Sequence, residues 1–242
     1  MNTYQKITEE VSVDHMIEVA SGLAKWERLS GSIEEYEAFL WLEKQYQAYG
    51  YETRLIRHDA YISLPVSCCF SVNGKEIHAQ THSMVPSGQA KGELVFCENT
   101  GTIKNTDCAG KIVLTRGRAV YEPVAAAKTK GALGVIFIQE GVIRECIPSA
   151  SWGSPAPSDW QYLPSIPSAS ILDDDGDKLI QRLEAGEHLT AELSAVTDTS
   201  WRKIPLLVAD LKASGETDEF VMFTGHVDSW YYGAIDNGTA NA

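Results

Sequence analysis

One stretch of this chain decides its fold class: KIVLTRGRAVYEPVAAAKTKGALGVIFI, which runs from Lys111 to Ile138. Its two ends, residues 111–115 and 134–138, are short apolar runs of the kind that form buried strands. Between them, the Ala-rich segment from Pro123 to Gly131 predicts a helix, because alanine favours helices and glycine commonly ends them. Strand, helix and strand in this order predict a βαβ unit, and therefore an α/β fold.

A second strong pattern lies on the N-terminal side of this unit. Apolar residues recur at helical spacing between residues 33 and 49, and Ser32 followed by Glu35 forms a capping-box signature. Gly50 provides the stop signal, and strand-forming segments follow between residues 51 and 72. A helix followed by strands is how an α/β domain begins. Turn-forming residues after this point predict a domain boundary near residue 73.

On the C-terminal side, the pattern returns to apolar strands after Trp201. Residues 206–211 and 220–224 are strand-like runs separated by a polar turn, and the second run leads directly to His226. Together these patterns predict three parts. The boundaries between these parts are expected at 72/73 and 200/201, which gives residues 1–72, 73–200 and 201–242.

Composition narrows the class of protein. The chain has 242 residues, of which 44% are hydrophobic and 22% charged, as in a compact soluble protein. Its net charge of −13 opposes binding to nucleic-acid phosphates or anionic membranes, so neither is expected as a partner. The N-terminus has no secretory signal pattern, and the five cysteines contain no CxxC pair. Reduced thiols and a cytoplasmic location are therefore expected.

The residues with candidate chemistry are His226, Asp228 and Asp236. His226 and Asp228 are two positions apart beyond a strand, so in an extended backbone their side chains project to the same side. A histidine and carboxylates at a strand end suit zinc, but by spacing alone a structural histidine bonded to a nearby aspartate is equally favoured. A Ser-His-Asp hydrolase using Ser229 has weaker support, because the chain has no GxSxG motif.

Two further histidines, His78 and His82, are four residues apart. On a helix this spacing would place both rings on one face and could form a metal-binding pair. The surrounding sequence is rich in turn-forming residues, so a coincidence at the surface is expected instead.

The motif TGHVDSW at residues 224–230, followed by GAIDNGT at residues 233–239, resembles the zinc-site signature of the di-zinc aminopeptidases and glutamate carboxypeptidase II-like enzymes. The segment DCAGKIVL at residues 107–114, with the Ala-rich helix after it, is similar to the protease-associated (PA) domain that many members carry as an insertion. The resemblance covers nearly the whole chain. It implies an incomplete zinc-exopeptidase α/β/α catalytic domain, which residues 1–72 begin and residues 201–242 resume, with an inserted β-rich PA domain at residues 73–200.

The resemblance also implies roles for individual residues. His226 matches the terminal ligand of one zinc ion, and Asp236 matches the carboxylate that bridges two zinc ions. Asp228 matches the catalytic-site aspartate that binds no metal but orients the histidine, and the peptide bond after it is usually cis in this family. The implied reaction is hydrolysis of peptide bonds in short peptides by a metal-activated water. Peptides are the implied substrate, and a homodimer is the implied assembly.

The remaining zinc ligands and the general base lie, in this family, beyond the region that matches this chain. Because a catalytic zinc ion normally has about three protein ligands, the isolated chain is expected to bind zinc weakly and to be inactive. Its apolar strands would also lack sheet partners and remain exposed. The chain is therefore expected to be truncated within the catalytic domain. The alternative function is a catalytically inactive product that acts as a PA-domain interaction module.

Overall fold

The structure is a computed structural model, and it describes residues 3–144, 146–151, 153–212, 215, 218–230 and 232–233. The helices are α1 (Thr3–Glu9), α2 (Val13–Leu23), α3 (Ile33–Ala48), α4 (Thr100–Asn105), α5 (Tyr121–Thr129) and α6 (Asp173–Glu184), with a 3-10 helix at Pro157–Tyr162. The strands are β1 (Glu52–Val72), β2 (Lys75–Ile77), β3 (Gln80–Thr81), β4 (Gly88–Cys97), β5 (Ile112–Arg116), β6 (Gly134–Gln139), β7 (Ser168–Leu172) and β8 (Thr190–Asp210). Among the described residues, no helix combines the length and apolar character that a membrane span requires.

The chain divides into two compact units. Residues 1–59 and 202–242 form one, here called the terminal unit, and residues 60–201 form the other, here called the central unit. Strands β1 and β8 each begin in one unit and end in the other. The three-part division expected from the sequence, with boundaries at 72/73 and 200/201, stays a prediction.

In the central unit, the predicted βαβ unit is confirmed. Strands β5 and β6 pair in parallel, with Ile112 opposite Gly134 and Arg116 opposite Ile138, and α5 connects them in the chain. The order of strands in the sheet is β2-β1-β8-β4-β5-β6-β7-β3. This is the mixed α/β architecture that the sequence predicted.

Both faces of this sheet are covered, and β5 shows how its sequence achieves this. Ile112 and Leu114 pack into a core that contains α6 residues such as Leu179, whereas Val113 packs into a second core that contains the α5 residue Val124. Successive residues of a strand point to opposite faces, so a continuous apolar run supplies both cores at once.

In the terminal unit, helices α2 and α3 pack around a smaller core that includes Leu23, Phe39 and Leu42. The start of α3 follows the predicted cap in part. The Ser32 hydroxyl accepts a hydrogen bond from the Glu35 amide at 3.0 Å. The Glu35 carboxylate accepts one from the amide of Gly31, at 2.7 Å, one residue earlier than a capping box requires.

Two expectations about strands are corrected by the structure. The strand-like pieces between residues 51 and 72 form the single strand β1. Residues 220–224, expected to be a buried strand, have no regular structure, and the side chains of residues 220–223 are exposed. The exposure agrees with the expectation that these apolar residues lack sheet partners.

Candidate functional site

The candidate site lies in the terminal unit, on the segment that leads to residue 230. Val227 is buried and belongs to the same core as Leu23 and Phe39, whereas His226 and Asp228 on either side of it remain partly accessible. Val227 therefore anchors the segment to the two helices. Its neighbours are left to face one another across its backbone.

His226 and Asp228 meet as their spacing predicted. The imidazole Nδ1 lies 2.8 Å from the Asp228 carboxylate oxygen Oδ1 and 3.0 Å from the Asp228 backbone carbonyl oxygen. Both acceptors favour the tautomer that carries its proton on Nδ1, which leaves the lone pair of Nε2 for a metal ion. The side chains are 46% and 36% exposed, which favours an accessible ligand over a histidine that only stabilises a core.

Ser30 and Arg28 complete this arrangement, and sequence reasoning did not find them. The Ser30 hydroxyl donates to the second carboxylate oxygen of Asp228. Arg28 is fully buried, and its Nε donates to the carbonyl oxygen of Val227 at 2.8 Å. About 200 positions separate these partners along the chain. No local pattern could have connected them, because spacing arguments reach only within one element.

Arg28 holds the segment at further points. Its Nη2 donates to the carbonyl oxygen of Gly233 at 2.5 Å, and its own carbonyl oxygen accepts the amide hydrogen of Ser229 at 2.9 Å. Its Nη1 donates to the carbonyl oxygens of Leu23 and Trp26 at 2.5 and 2.9 Å. The guanidinium has five donors, and this use of them ties α2 and the residues after it to the 227–233 segment.

Glu35 is a buried carboxylic acid beside this arrangement. Burial raises the pKa of Glu35 to about 7, the hydrogen bond from the Gly31 amide opposes the rise, and the Asp228 carboxylate adds to it. The cause is the cost of an ionised carboxylate away from water. Asp228 is therefore bordered by a carboxyl group that holds its proton up to about neutral pH.

The structure tests the other candidate residues only in part. Asp236 lies outside the described residues. Within the described chain, no three His, Cys, Asp or Glu residues gather closely enough to hold a metal ion.

The bond after Asp228 is not cis, contrary to the family expectation. Ser229 is buried and its amide bonds to Arg28, which does not suit a nucleophile. His82 is also buried, so the expectation of a surface position was wrong for it.

Among the described residues, His226 is the one predicted zinc ligand. Its donor chemistry fits zinc, because a histidine whose Nδ1 is engaged by a carboxylate is a common form of zinc ligand. The fit therefore concerns one ligand and the groups that orient it.

Comparisons with known proteins agree with this fold. Residues 90–179 match the PA domain family. The chain is 23% identical to a probable glutamate carboxypeptidase of Arabidopsis thaliana, in an alignment that covers 88% of this chain and 40% of that protein.

Solved structures show the same fold. An M28 peptidase precursor from Shewanella amazonensis gives a TM-score of 0.64 at 19% identity, covering 94% of this chain and 61% of that one. An aminopeptidase from Aneurinibacillus gives 0.62 at 22% identity, with coverages of 84% and 48%. A zinc aminopeptidase from Bacillus subtilis gives 0.58 at 18% identity, with coverages of 78% and 45%. The chain thus spans between 40% and 61% of the length of these relatives.

Proposed function

We propose that this chain, a PA-domain-containing relative of the glutamate carboxypeptidases and M28 zinc aminopeptidases, is the N-terminal portion of a zinc-dependent exopeptidase. The observation that carries the proposal is the pair His226 and Asp228, in which the carboxylate engages Nδ1 of the imidazole at 2.8 Å. The relatives support peptide hydrolysis as the reaction. The chain covers less than two thirds of each, so the activity of the whole protein remains our proposal.

In the proposed site, His226 would hold zinc through its imidazole, and Asp236 would supply a carboxylate ligand. Asp228 holds the proton on Nδ1 of His226 and sets the plane of the ring. Zinc supplies Lewis acidity, which makes water nucleophilic near neutral pH and polarises the carbonyl of the peptide bond. The bonds from Arg28 and Ser30 keep this part of the site in place before substrate binds.

The remaining ligands and the general base are not among the residues assigned here, so we propose that this chain alone binds zinc weakly and hydrolyses nothing. We also propose peptide substrates, a homodimer and a cytoplasmic location. The thiol form of the five cysteines supports a reducing compartment.

The test uses the protein purified from its native source with antibodies against the PA domain, so that any further chain remains attached. It is offered aminoacyl anilides and dipeptides with a C-terminal glutamate. We expect hydrolysis of one class, loss of activity with a zinc chelator and recovery on addition of zinc. Hydrolysis that survives the chelator would contradict the metal assignment. Inactivity on both substrate classes would favour the PA-domain interaction module.

A matched pair of variants tests the ligand directly. In the full-length protein, His226→Ala is expected to abolish zinc-dependent hydrolysis and to lower the zinc content measured by atomic absorption. His58→Ala, at an exposed histidine of the same unit, is expected to change neither. Equal zinc content and activity in the two variants would rule out His226 as a ligand.

A further inference from the structure

Arg28 and Ser30, which follow α2, form hydrogen bonds with three consecutive residues of the candidate site. The carbonyl oxygen of Val227 accepts from Arg28 Nε, the carboxylate of Asp228 accepts from the Ser30 hydroxyl, and the amide of Ser229 donates to the Arg28 carbonyl oxygen. These contacts lie on both sides of Asp228 and on its side chain. Each of the three residues is held through a different group, so the backbone and the carboxylate of Asp228 are fixed together.

We propose that Ser30 and Arg28 are positioning residues for the zinc ligand His226, acting through Asp228. The inference rests on the proposed function for its zinc ion, but the contacts from which it is argued involve no metal. A carboxylate on a single bond can rotate, and it then offers the imidazole a different oxygen or direction. The Ser30 hydroxyl occupies Oδ2, which leaves Oδ1 facing Nδ1 of His226 at 2.8 Å.

Arg28 holds the backbone on which the hydrogen-bonded series Ser30, Asp228 and His226 depends. Its side chain is fully buried, and its donors go to backbone carbonyl oxygens at both ends of the 227–233 segment. A buried arginine without acceptors would be strongly destabilising, so these carbonyl oxygens and the arginine depend on one another. The segment cannot shift without breaking bonds to a buried charge. The direction of the Asp228 carboxylate is therefore set by the turn and not by solvent.

These hydrogen bonds determine which nitrogen of the His226 imidazole carries the proton. A fixed carboxylate on Nδ1 holds the proton there, so the ring presents the unprotonated Nε2 in one orientation. Without the Ser30 hydroxyl, Asp228 gains rotational freedom, and the two neutral tautomers of His226 become closer in energy. Only a fraction of the His226 rings would then be in the Nδ1–H tautomer that binds zinc, and the zinc affinity would fall by that fraction.

The test compares Ser30→Ala with two matched variants in the zinc-free 242-residue chain. Ser30→Thr keeps the hydroxyl and should keep its hydrogen bond to the Asp228 carboxylate. Ser32→Ala, two residues along, removes the cap of α3 and leaves the Asp228 contact intact. The readout is the tautomer of His226 from the nitrogen chemical shifts of its imidazole, recorded at about pH 9, well above the range in which an imidazole ordinarily titrates.

We expect the Nδ1–H tautomer to dominate in the wild type, Ser30→Thr and Ser32→Ala, and a mixture of tautomers in Ser30→Ala. Zinc affinity of Ser30→Ala should fall about threefold to tenfold, less than the ~10- to 100-fold cost of losing a direct partner of a ligand. An unchanged tautomer in Ser30→Ala would overturn the proposal, as would an equal change in Ser32→Ala. The tautomers decide the role of Ser30 whether or not zinc binds, whereas the proposed function fails only if the full-length protein binds no zinc.

Discussion

At the scale of single residues, His82 shows how a buried ionisable group makes stability depend on pH. Its Nδ1 and Nε2 lie 2.7 and 2.8 Å from the hydroxyls of Ser168 and Ser170, and its ring contacts Phe137 edge to face. Burial lowers the pKa of His82 from 6.5 to about 3. The folded protein therefore keeps this imidazole neutral well below pH 6.5.

The sign of the pH effect follows from this shift. Above pH 6.5 both the folded and the unfolded chain hold His82 neutral, so the residue adds no pH dependence. Below pH 6.5, His82 binds a proton in the unfolded chain but not in the folded chain. The free energy of unfolding therefore falls by about 1.4 kcal/mol per pH unit. At pH 5 the loss reaches about 2 kcal/mol and continues to grow until the pH nears the folded pKa.

The variant His82→Gln is expected to be less stable than the wild type at pH 7.5 but to lose less stability between pH 7.5 and pH 5. His78→Gln, at an exposed histidine nearby, should keep the whole pH dependence of the wild type. The measurement is hydrogen exchange of the β6 and β7 amides, which reports on the central unit alone. The same pH dependence in all three proteins would show that His82 is not its source.

At the scale of elements, strand β4 carries two glycines with different surroundings. A Cβ atom on Gly92 would lie 2.5 Å from the carbonyl oxygen of Gly110 and 3.3 Å from the Cα atom of Lys111. A Cβ atom on Gly88 would have no neighbour within 4 Å. The glycine at residue 92 therefore permits the close approach of two backbones, whereas the one at residue 88 has no such role.

Gly92→Ala is expected to lower the free energy of unfolding by about 1–3 kcal/mol, because backbone atoms cannot yield as a side chain can. Gly88→Ala, the same change on the same strand, should alter it by less than about 0.5 kcal/mol. Urea denaturation of the two variants provides the comparison. Equal midpoints would mean that β4 and the turn before β5 can move apart at little cost.

Elements with strong local signals were predictable from the sequence. Helix α3 and strands β5 and β6 lie close to their expected bounds, because periodicity, caps and turn residues act over a few positions. The pairing of Gln80 with Ser170 and of Thr81 with Ala169, which carries His82 in beside Ser168, could not be predicted. Strand register is set by contacts far apart in the chain, and no short window contains them.

The same limit applied to the candidate site. His226 and Asp228 were found because their spacing is local, and the structure brings them together as expected. Arg28 and Ser30 were missed because each is separated from its partner by most of the chain. The role assigned to Asp236 stays a prediction.

At the scale of the whole molecule, the most exposed large apolar side chains lie in the terminal unit. Phe220 and Phe223 are 82% and 89% exposed, and the residues between them are exposed as well. A cluster of large apolar side chains in water favours association with any surface that can cover it.

The 242-residue chain, prepared alone, is therefore expected to self-associate as its concentration rises. The double variant Phe220→Ser/Phe223→Ser should remain monomeric over the same range in sedimentation velocity. Tyr162→Ser, which removes an exposed aromatic residue of the central unit, should behave like the wild type. A monomeric wild type at the highest concentration would show that the apolar segment is covered within the molecule.

The two bonds from Arg28 to Val227 and Gly233 also determine the order of events during synthesis. They join residues 199 and 205 positions apart, so the ribosome must add the whole central unit before Arg28 can meet either carbonyl oxygen. Contacts of such high sequence separation form late and slowly, whereas the central unit can complete its own sheet first. The N-terminal helices therefore emerge from the ribosome well before Val227 and Gly233 are synthesised. A chaperone that binds them during this interval would protect the segment on which the histidine of the motif depends.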